Sequence, residues 1–220
     1  MRKLYTMNAT KDSIKRLFNE YNEKDYWENV DFHLHSNASD GKLPADELAK
    51  QARAKGLKKF SICDHNTLDG YKLINLDEYP EIITGIEFDC WYRGIFLHLL
   101  AYGIDLRSEA LKPFVAKNKA DTEKDIVRIF DRRNVPKLIK AIHEAGGIAV
   151  LAHSACCWTI NHEHFVKCLV EIGLDGLECY YPYRRHRAIV KFHTAETVKK
   201  IADKLNLVKT GGTDTHGDLK

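Results

Sequence analysis

Short apolar runs recur along the chain, and nearly every one is followed by a cluster of polar, ionisable residues. Residues 30–34, 59–63, 81–86, 148–152, 175–180 and 207–210 read as short buried strands. Stretches 88–91 and 95–102 flank Tyr92-Arg93-Gly94, which has the character of a hairpin turn. Helical patterns lie between the strands. Pro44 opens a helix reaching about Lys55, with Leu43, Leu48 and Ala52 on its inner face and Gly56 as its stop. Further helices are predicted over 136–145, stopped by Gly146-Gly147, over 163–172, and over 187–204. Residues 106–133 are charged and less regular, a helical excursion from the main layer. Near the start, Ile14, Leu17, Phe18 and Tyr21 recur at helical spacing behind a cap at Thr10 or Asp12. That helix is expected to pack across the domain rather than to serve as a partner-binding arm. The alternation of strand and helix predicts an α/β fold with a parallel sheet or barrel. In such folds active sites form at the C-terminal ends of the strands.

Composition narrows the class. At 220 residues, the chain fits one domain, residues 30–220, preceded by a helical extension over 1–29. A net charge of +3 is too small for a nucleic-acid coat but tolerates an anionic substrate. The six cysteines form no CxxC and lie mostly in apolar runs, which suits buried thiols in a reducing cytoplasm. No N-terminal apolar segment and no long apolar span is present, so neither secretion nor membrane insertion is expected. In a cytoplasmic protein the sequons at Asn8 and Asn37 carry no meaning.

The chemistry sits at the strand ends. His33 and His35 occupy positions i and i+2 of the first strand, so both imidazoles point to one side, about 7 Å apart along the chain. The turn Ser36-Asn37-Ala38-Ser39-Asp40-Gly41 can carry Asp40 back toward them. Later strand ends add His65, Glu87, His98, His153, Asp214 and His216, so six of the eleven histidines fall behind apolar runs. An imidazole and carboxylate cluster without thiolate suits Mn, Zn or Fe. It offers more ligands than one divalent ion needs, so two or three ions are expected, with Glu87 able to bridge.

These residues resemble those of the PHP-domain (polymerase and histidinol phosphatase) family. The motifs are His33-Leu34-His35 with Ser39-Asp40-Gly41, Cys63-Asp64-His65-Asn66-Thr67, Gly85-Ile86-Glu87, His98-Leu99-Leu100-Ala101-Tyr102-Gly103, Ala152-His153, Gly176-Leu177-Glu178, and Gly211 to Gly217 with Asp214 and His216. The resemblance covers roughly residues 30–218 and is greatest to stand-alone phosphoesterases acting on nucleotides or RNA ends. It implies a distorted seven-stranded (β/α) barrel with a trinuclear site. One ion would be held by His33, His35, Glu87 and Asp214, a second by Glu87, His98 and His153, and a third by Asp40, His65 and His216. It also implies hydrolysis of a phosphate ester of a small phosphorylated substrate, a nucleotide or a short RNA end, by a metal-activated water.

Arg184, Arg185 and His186 follow a strand end, where Arg184 and His186 could grip or protonate a phosphate. Arg93 could enter from the hairpin turn. Asp64 precedes a candidate ligand and is expected to orient it, with general acid as a second role. His162-Glu163-His164 also reads HxH but opens a helix, where i and i+2 diverge, so a surface role is expected. His143 and His193 are placed within helices, away from the cluster. Ser154 stands where the family usually has Pro, and Thr213 where it usually has Ser. The segment between His98 and His153 is short beside the inserted domain of nucleotide-cleaving relatives. The chain ends soon after His216, where relatives usually continue; either a tail is missing or residues 1–29 cover its surface. The alternative to an enzyme is a non-catalytic metal-stabilised scaffold. An amidohydrolase-type barrel also begins with HxH, but the Asp40-Gly41 and Asp64-His65 motifs fit it poorly.

Overall fold

Burial on both faces explains why the apolar runs are strands. The computed structural model describes residues 10–130, 133–183 and 193–219. Thr10 caps α1 (Lys11–Asn19) by accepting from the Ser13 N–H, and a single turn, α2 (Asp25–Glu28), follows. Then comes β1 (Val30–Leu34), buried at every position. A strand buried on both faces must be covered by layers on each side. α3 (Ala45–Ala54) returns the chain to β2 (Lys59–Ile62), which pairs parallel to β1.

β3 (Gly85–Tyr92) and β4 (Ile95–Tyr102) form the expected hairpin, with Arg93 and Gly94 at positive φ in its turn. Among the described residues, the segment after it holds only a 3-10 turn, Glu109–Leu111, and two single helical turns, α4 (Ala120–Glu123) and α5 (Asp125–Arg128). α6 (Val135–Glu144) leads to β5 (Ile148–Leu151), α7 (His162–Glu171) to β6 (Gly176–Tyr180), and α8 (Ala195–Lys204) to β7 (Val208–Gly211).

Among the described residues, seven strands form two sheets, β1-β2 and β3-β4-β5-β6-β7, neither of them closed. Isolated parallel bridges join the sheets at both margins: Leu34 with Thr215 on one side, Phe60 with Ile82 and His65 with Glu87 on the other. A continuous barrel ladder, expected from the family resemblance, is therefore not formed. Left-handed residues sit at both gaps, Asn66 after β2 and Asp214 after β7, and they turn the chain out of register there. The third strand also starts later than its apolar run suggested, at Gly85 rather than residue 81, and continues through Asp89. The described part of the last helix starts at Ala195, so His193 precedes it.

The extension adds to the main core. Phe18 lies edge-on to Phe32 at 4.7 Å between ring centres, and Tyr26 stacks on Tyr180 at 4.7 Å. Its polar anchor is Asp175, whose side chain is only 2% exposed. Lys11 and Lys15 reach one carboxylate oxygen at 2.7 and 2.9 Å, while His143 and the Ala149 N–H reach the other at 2.7 and 3.0 Å. Burial pushes the Asp175 carboxyl up, but the bonds from His143, Lys11, Ala149 and Lys15 outweigh it and hold it below the usual range.

Asp175→Asn is expected to cost about 2 kcal/mol, the scale of hydrogen bonds to a charged group. For a chain of this size that is roughly 5 °C in melting temperature. Because folding lowers this pKa, the contribution is complete above the unfolded carboxyl value of about 4 and is lost as pH falls through the folded one. Melting curves of both chains from pH 7 to 3 should show a gap that narrows on acidification. Equal melting temperatures at pH 7 would refute the anchor.

Candidate metal centre

β1 delivers His33 and His35 to the strand end fully buried. Two carboxylates, Asp31 and Asp64, hold the chain around them. Asp31 accepts from the Thr213 N–H at 2.9 Å and the Thr213 hydroxyl at 2.6 Å, tying β1 to the loop after β7. Burial pushes the Asp31 carboxyl up to about 6 despite those bonds. A Cβ on Gly212 would collide with the His33 backbone nitrogen, so only glycine permits this approach. Asp64 accepts from the Ser36 N–H (2.7 Å), the Ser36 hydroxyl (2.6 Å) and the Ser39 hydroxyl (2.8 Å). It thereby locks the turn that presents Asp40.

Three sets of donors converge. Around the first, His33 Nε2 and His35 Nε2 lie 3.2 and 3.3 Å from Glu87 Oε2, and 3.6 and 3.1 Å from Asp214 Oδ1. Tetrahedral N/O donors about 2.1 Å from an ion would stand about 3.4 Å from one another. In the second, Glu87 Oε1 lies 3.0 Å from His98 Nδ1 and 3.2 Å from His153 Nε2, and the two imidazole nitrogens are 3.1 Å apart. The third gathers Asp40, His65 and His216 beside His35. The donor chemistry and these spacings fit divalent ions. So does the buried His35 Nε2, which faces Glu87 and Asp214 without an aligned hydrogen-bond partner.

A second layer orients the rings. Glu178 on β6 accepts from His33 Nδ1 at 2.8 Å and from the His153 N–H at 2.6 Å, which directs His33 Nε2 inward. Asp89, two residues past Glu87 and so on the same face, sits 2.9 Å from His98 Nε2 and 3.4 Å from His65 Nδ1. Tyr181 donates to Asp214 Oδ2 at 2.7 Å. Burial opposes every charge here, yet charge partners prevail at most positions. Glu178, Glu87 and Asp214 hold His33 well above its ordinary value, bonds from Asp214 and Glu87 raise His35 to about 9, and Glu87 and Asp89 raise His98 to about 10. Burial also pushes the Glu87 carboxyl up, but the imidazoles of His33, His65 and His98 hold it well below the carboxylate range. His65 goes the other way and is lowered, by burial.

All nine candidate ligands thus meet in one cluster. The substrate candidates do not join it in the same way. Both Asp64 oxygens are engaged by serines behind the cluster, so its geometry is that of a positioning group rather than a general acid. Arg93 lies exposed at the hairpin tip over the Tyr92 ring, about 13 Å along the strand from Asp89 at the usual rise. Arg184, Arg185 and His186 lie outside the described residues. His162 is buried rather than superficial, held by Ser154 Oγ at 2.8 Å and Thr159 Oγ1 at 3.0 Å. His143 faces Asp175, away from the cluster. Sequence reasoning passed over Glu178 and Asp89 as site residues. Their signals were present, in Gly176-Leu177-Glu178 at a strand end and in the i, i+2 step from Glu87.

The family model of the PHP domain matches residues 31–152. The chain belongs to the PHP-domain family. Among curated relatives it is 29% identical over 146 residues to a 5'-3' exoribonuclease of Haemophilus influenzae, covering 65% of this chain and 51% of that one. It therefore spans about half the length of that protein. It is 24% identical over 254 aligned positions to a phosphoribosyl 1,2-cyclic phosphate 1,2-diphosphodiesterase of Eggerthella lenta, covering 85% of this chain and 94% of that one. A Bifidobacterium adolescentis structure classed as a metal-dependent phosphoesterase shares the fold, with TM-score 0.67 at 21% identity over 88% of this chain and 89% of that one.

Glu178→Gln keeps the shape of the side chain but removes the charge that fixes His33. It is expected to lower divalent-ion retention by about 10- to 100-fold, the usual effect of losing such a support. Titration of the metal-stripped protein with Mn2+ reads this directly, and unchanged affinity would exclude the orienting role.

Proposed function

We propose that this PHP-domain protein is a metal-dependent phosphoesterase that hydrolyses a phosphate ester of a small phosphorylated substrate, a nucleotide or a short RNA end. One observation supports this above the others: Glu87 divides its two oxygens between two donor sets, one with His33, His35 and Asp214 and one with His98 and His153. Those residues would hold two divalent ions that share Glu87, and Asp40, His65 and His216 gather beside them as a third set of donors. Ions so held supply activation of water and neutralisation of phosphoryl oxygens, the main demands of phosphoryl transfer. The absence of thiolate among the donors favours Mn, Zn or Fe.

The chain's own residues set the geometry. Glu178 and Asp89 hold the ring orientations, Asp31 and Asp64 hold the loops, and Tyr181 steadies Asp214. Exposure decides where substrate enters. His98, His153, Asp40 and His216 side chains are 15%, 17%, 22% and 35% exposed, while His33, His35 and Glu87 are closed off. Arg184 and His186 are proposed to bind the substrate phosphate. The two bridged margins of the sheets support a distorted barrel as the underlying plan. Six cysteines without a disulfide support a cytoplasmic setting. No helix among the described residues is long and apolar enough to cross a membrane.

The Mn2+-loaded protein is expected to release phosphate or nucleotide from at least one of p-nitrophenyl phosphate, 3',5'-bisphosphonucleotides and short 5'-phosphorylated RNA, and to lose this on chelation. Glu87→Ala should lose metal content and activity together. Full metal occupancy in that variant would sink the bridging role. Metal-loaded protein silent on all three substrates would favour the scaffold reading.

A further inference from the structure

Arg128 enters the cluster although it is no candidate ligand. It ends α5, in the segment whose irregularity set it apart from the helices, and it is 5% exposed. Its guanidinium reaches three groups of the third donor set and its supports. Nη1 donates to Asp40 Oδ2 at 2.7 Å, Nη2 donates to His65 Nε2 at 2.9 Å, and Nε lies 3.1 Å from Asp89 Oδ2. The segment is pinned to the strand-end loops that carry these partners. The Ala116 N–H bonds the Asn66 carbonyl at 2.7 Å, the Asn66 amide bonds the Asp121 carbonyl at 2.9 Å, and Lys119 bonds the Asn37 carbonyl at 2.8 Å.

Resting on the metal reading of the cluster, we infer that the Arg128 guanidinium is this chain's own cation at the Asp40–His65 corner, so that the protein holds two divalent ions and not three. The argument is one of lone pairs. With Nδ1 turned toward Asp89 Oδ1, His65 Nε2 carries a single lone pair, and it already accepts from Arg128. A ligand nitrogen cannot accept a hydrogen bond and bind an ion with the same lone pair. Asp40 Oδ2 also accepts from Arg128, and its Oδ1 faces His216 Nε2 at 3.2 Å. The first two donor sets, which hold the shared Glu87, are untouched by Arg128.

Metal counting tests this without reference to turnover. The full chain, saturated with Mn2+ and desalted, is expected to retain two equivalents by elemental analysis. Arg128→Met should open the corner and raise the count to three. Asp40→Asn, in the otherwise native chain, should leave it at two, because Asp40 serves the arginine rather than an ion; this variant decides the matter if Arg128→Met fails to fold. Three equivalents in the native chain, or loss of one equivalent in Asp40→Asn, would overturn the inference while leaving the phosphoesterase reading intact. A native chain that retains no divalent ion would overturn both.

Discussion

Glu87 is a carboxylate sealed from solvent, and the rest of the site answers to it. Five imidazoles, those of His33, His35, His65, His98 and His153, face its two oxygens at 3.0 to 3.3 Å. An isolated buried carboxylate would cost several kcal/mol or would take up a proton. Neutral imidazoles offering lone pairs would make matters worse. The arrangement therefore demands positive charge at its centre, from protons on the rings or from bound cations. Raised values at His33, His35 and His98 express that demand in proton form. Divalent ions meet the same demand while leaving the rings neutral, as ligation requires. The strength of the shifts and the spacing of the donors are thus two views of one constraint.

Charge alone would not keep five rings aimed at one oxygen pair. Around the ring layer lie further buried carboxylates, each satisfied by specific donors. Glu178 ties β1 to the loop after β5, Asp31 ties β1 to the loop after β7, and Asp64 stiffens the turn after β1. Each carboxylate binds at least one backbone N–H and one side chain, so it fixes chain path and ring orientation in one stroke. This explains how a fold whose ladders break at Asn66 and Asp214 still gathers its strand ends around the site. Where backbone pairing between the sheets is reduced to isolated bridges, side-chain carboxylates join the margins.

The legible part of the site was the part written locally. An apolar run followed by His or Asp states both a strand and its functional end. That is why His33, His35, His65, His98, His153, Asp214 and His216 can be gathered from the amino-acid sequence by itself. Glu178 was harder, because its partner His33 lies 145 positions away and only the fold brings them together. Asp89 was harder because residues 81–86 and 88–91 read as separate stretches, so that its place on Glu87's face of one continuous strand, opposite His98, was not apparent. The two-sheet arrangement, too, depends on left-handed residues whose effect on pairing no hydrophobic pattern records.

Arg128 was the least legible, and the reason is physical. A regular amphipathic helix over 106–133 would have spent its apolar residues on the core and its charges on solvent. Instead the chain breaks into single turns, leaves Ile126 and Phe130 mostly exposed, and buries an arginine. That inversion is costly in isolation, since apolar surface is given to water and a charge is taken from it. It becomes favourable only because Asp40 and Asp89 wait below with no other cation of the chain in reach of both among the described ion pairs. The segment's irregular form is thus set by the electrostatics of the cluster beneath it. A stretch whose local pattern contradicts its burial marks the place where the site, rather than the core, dictates the fold.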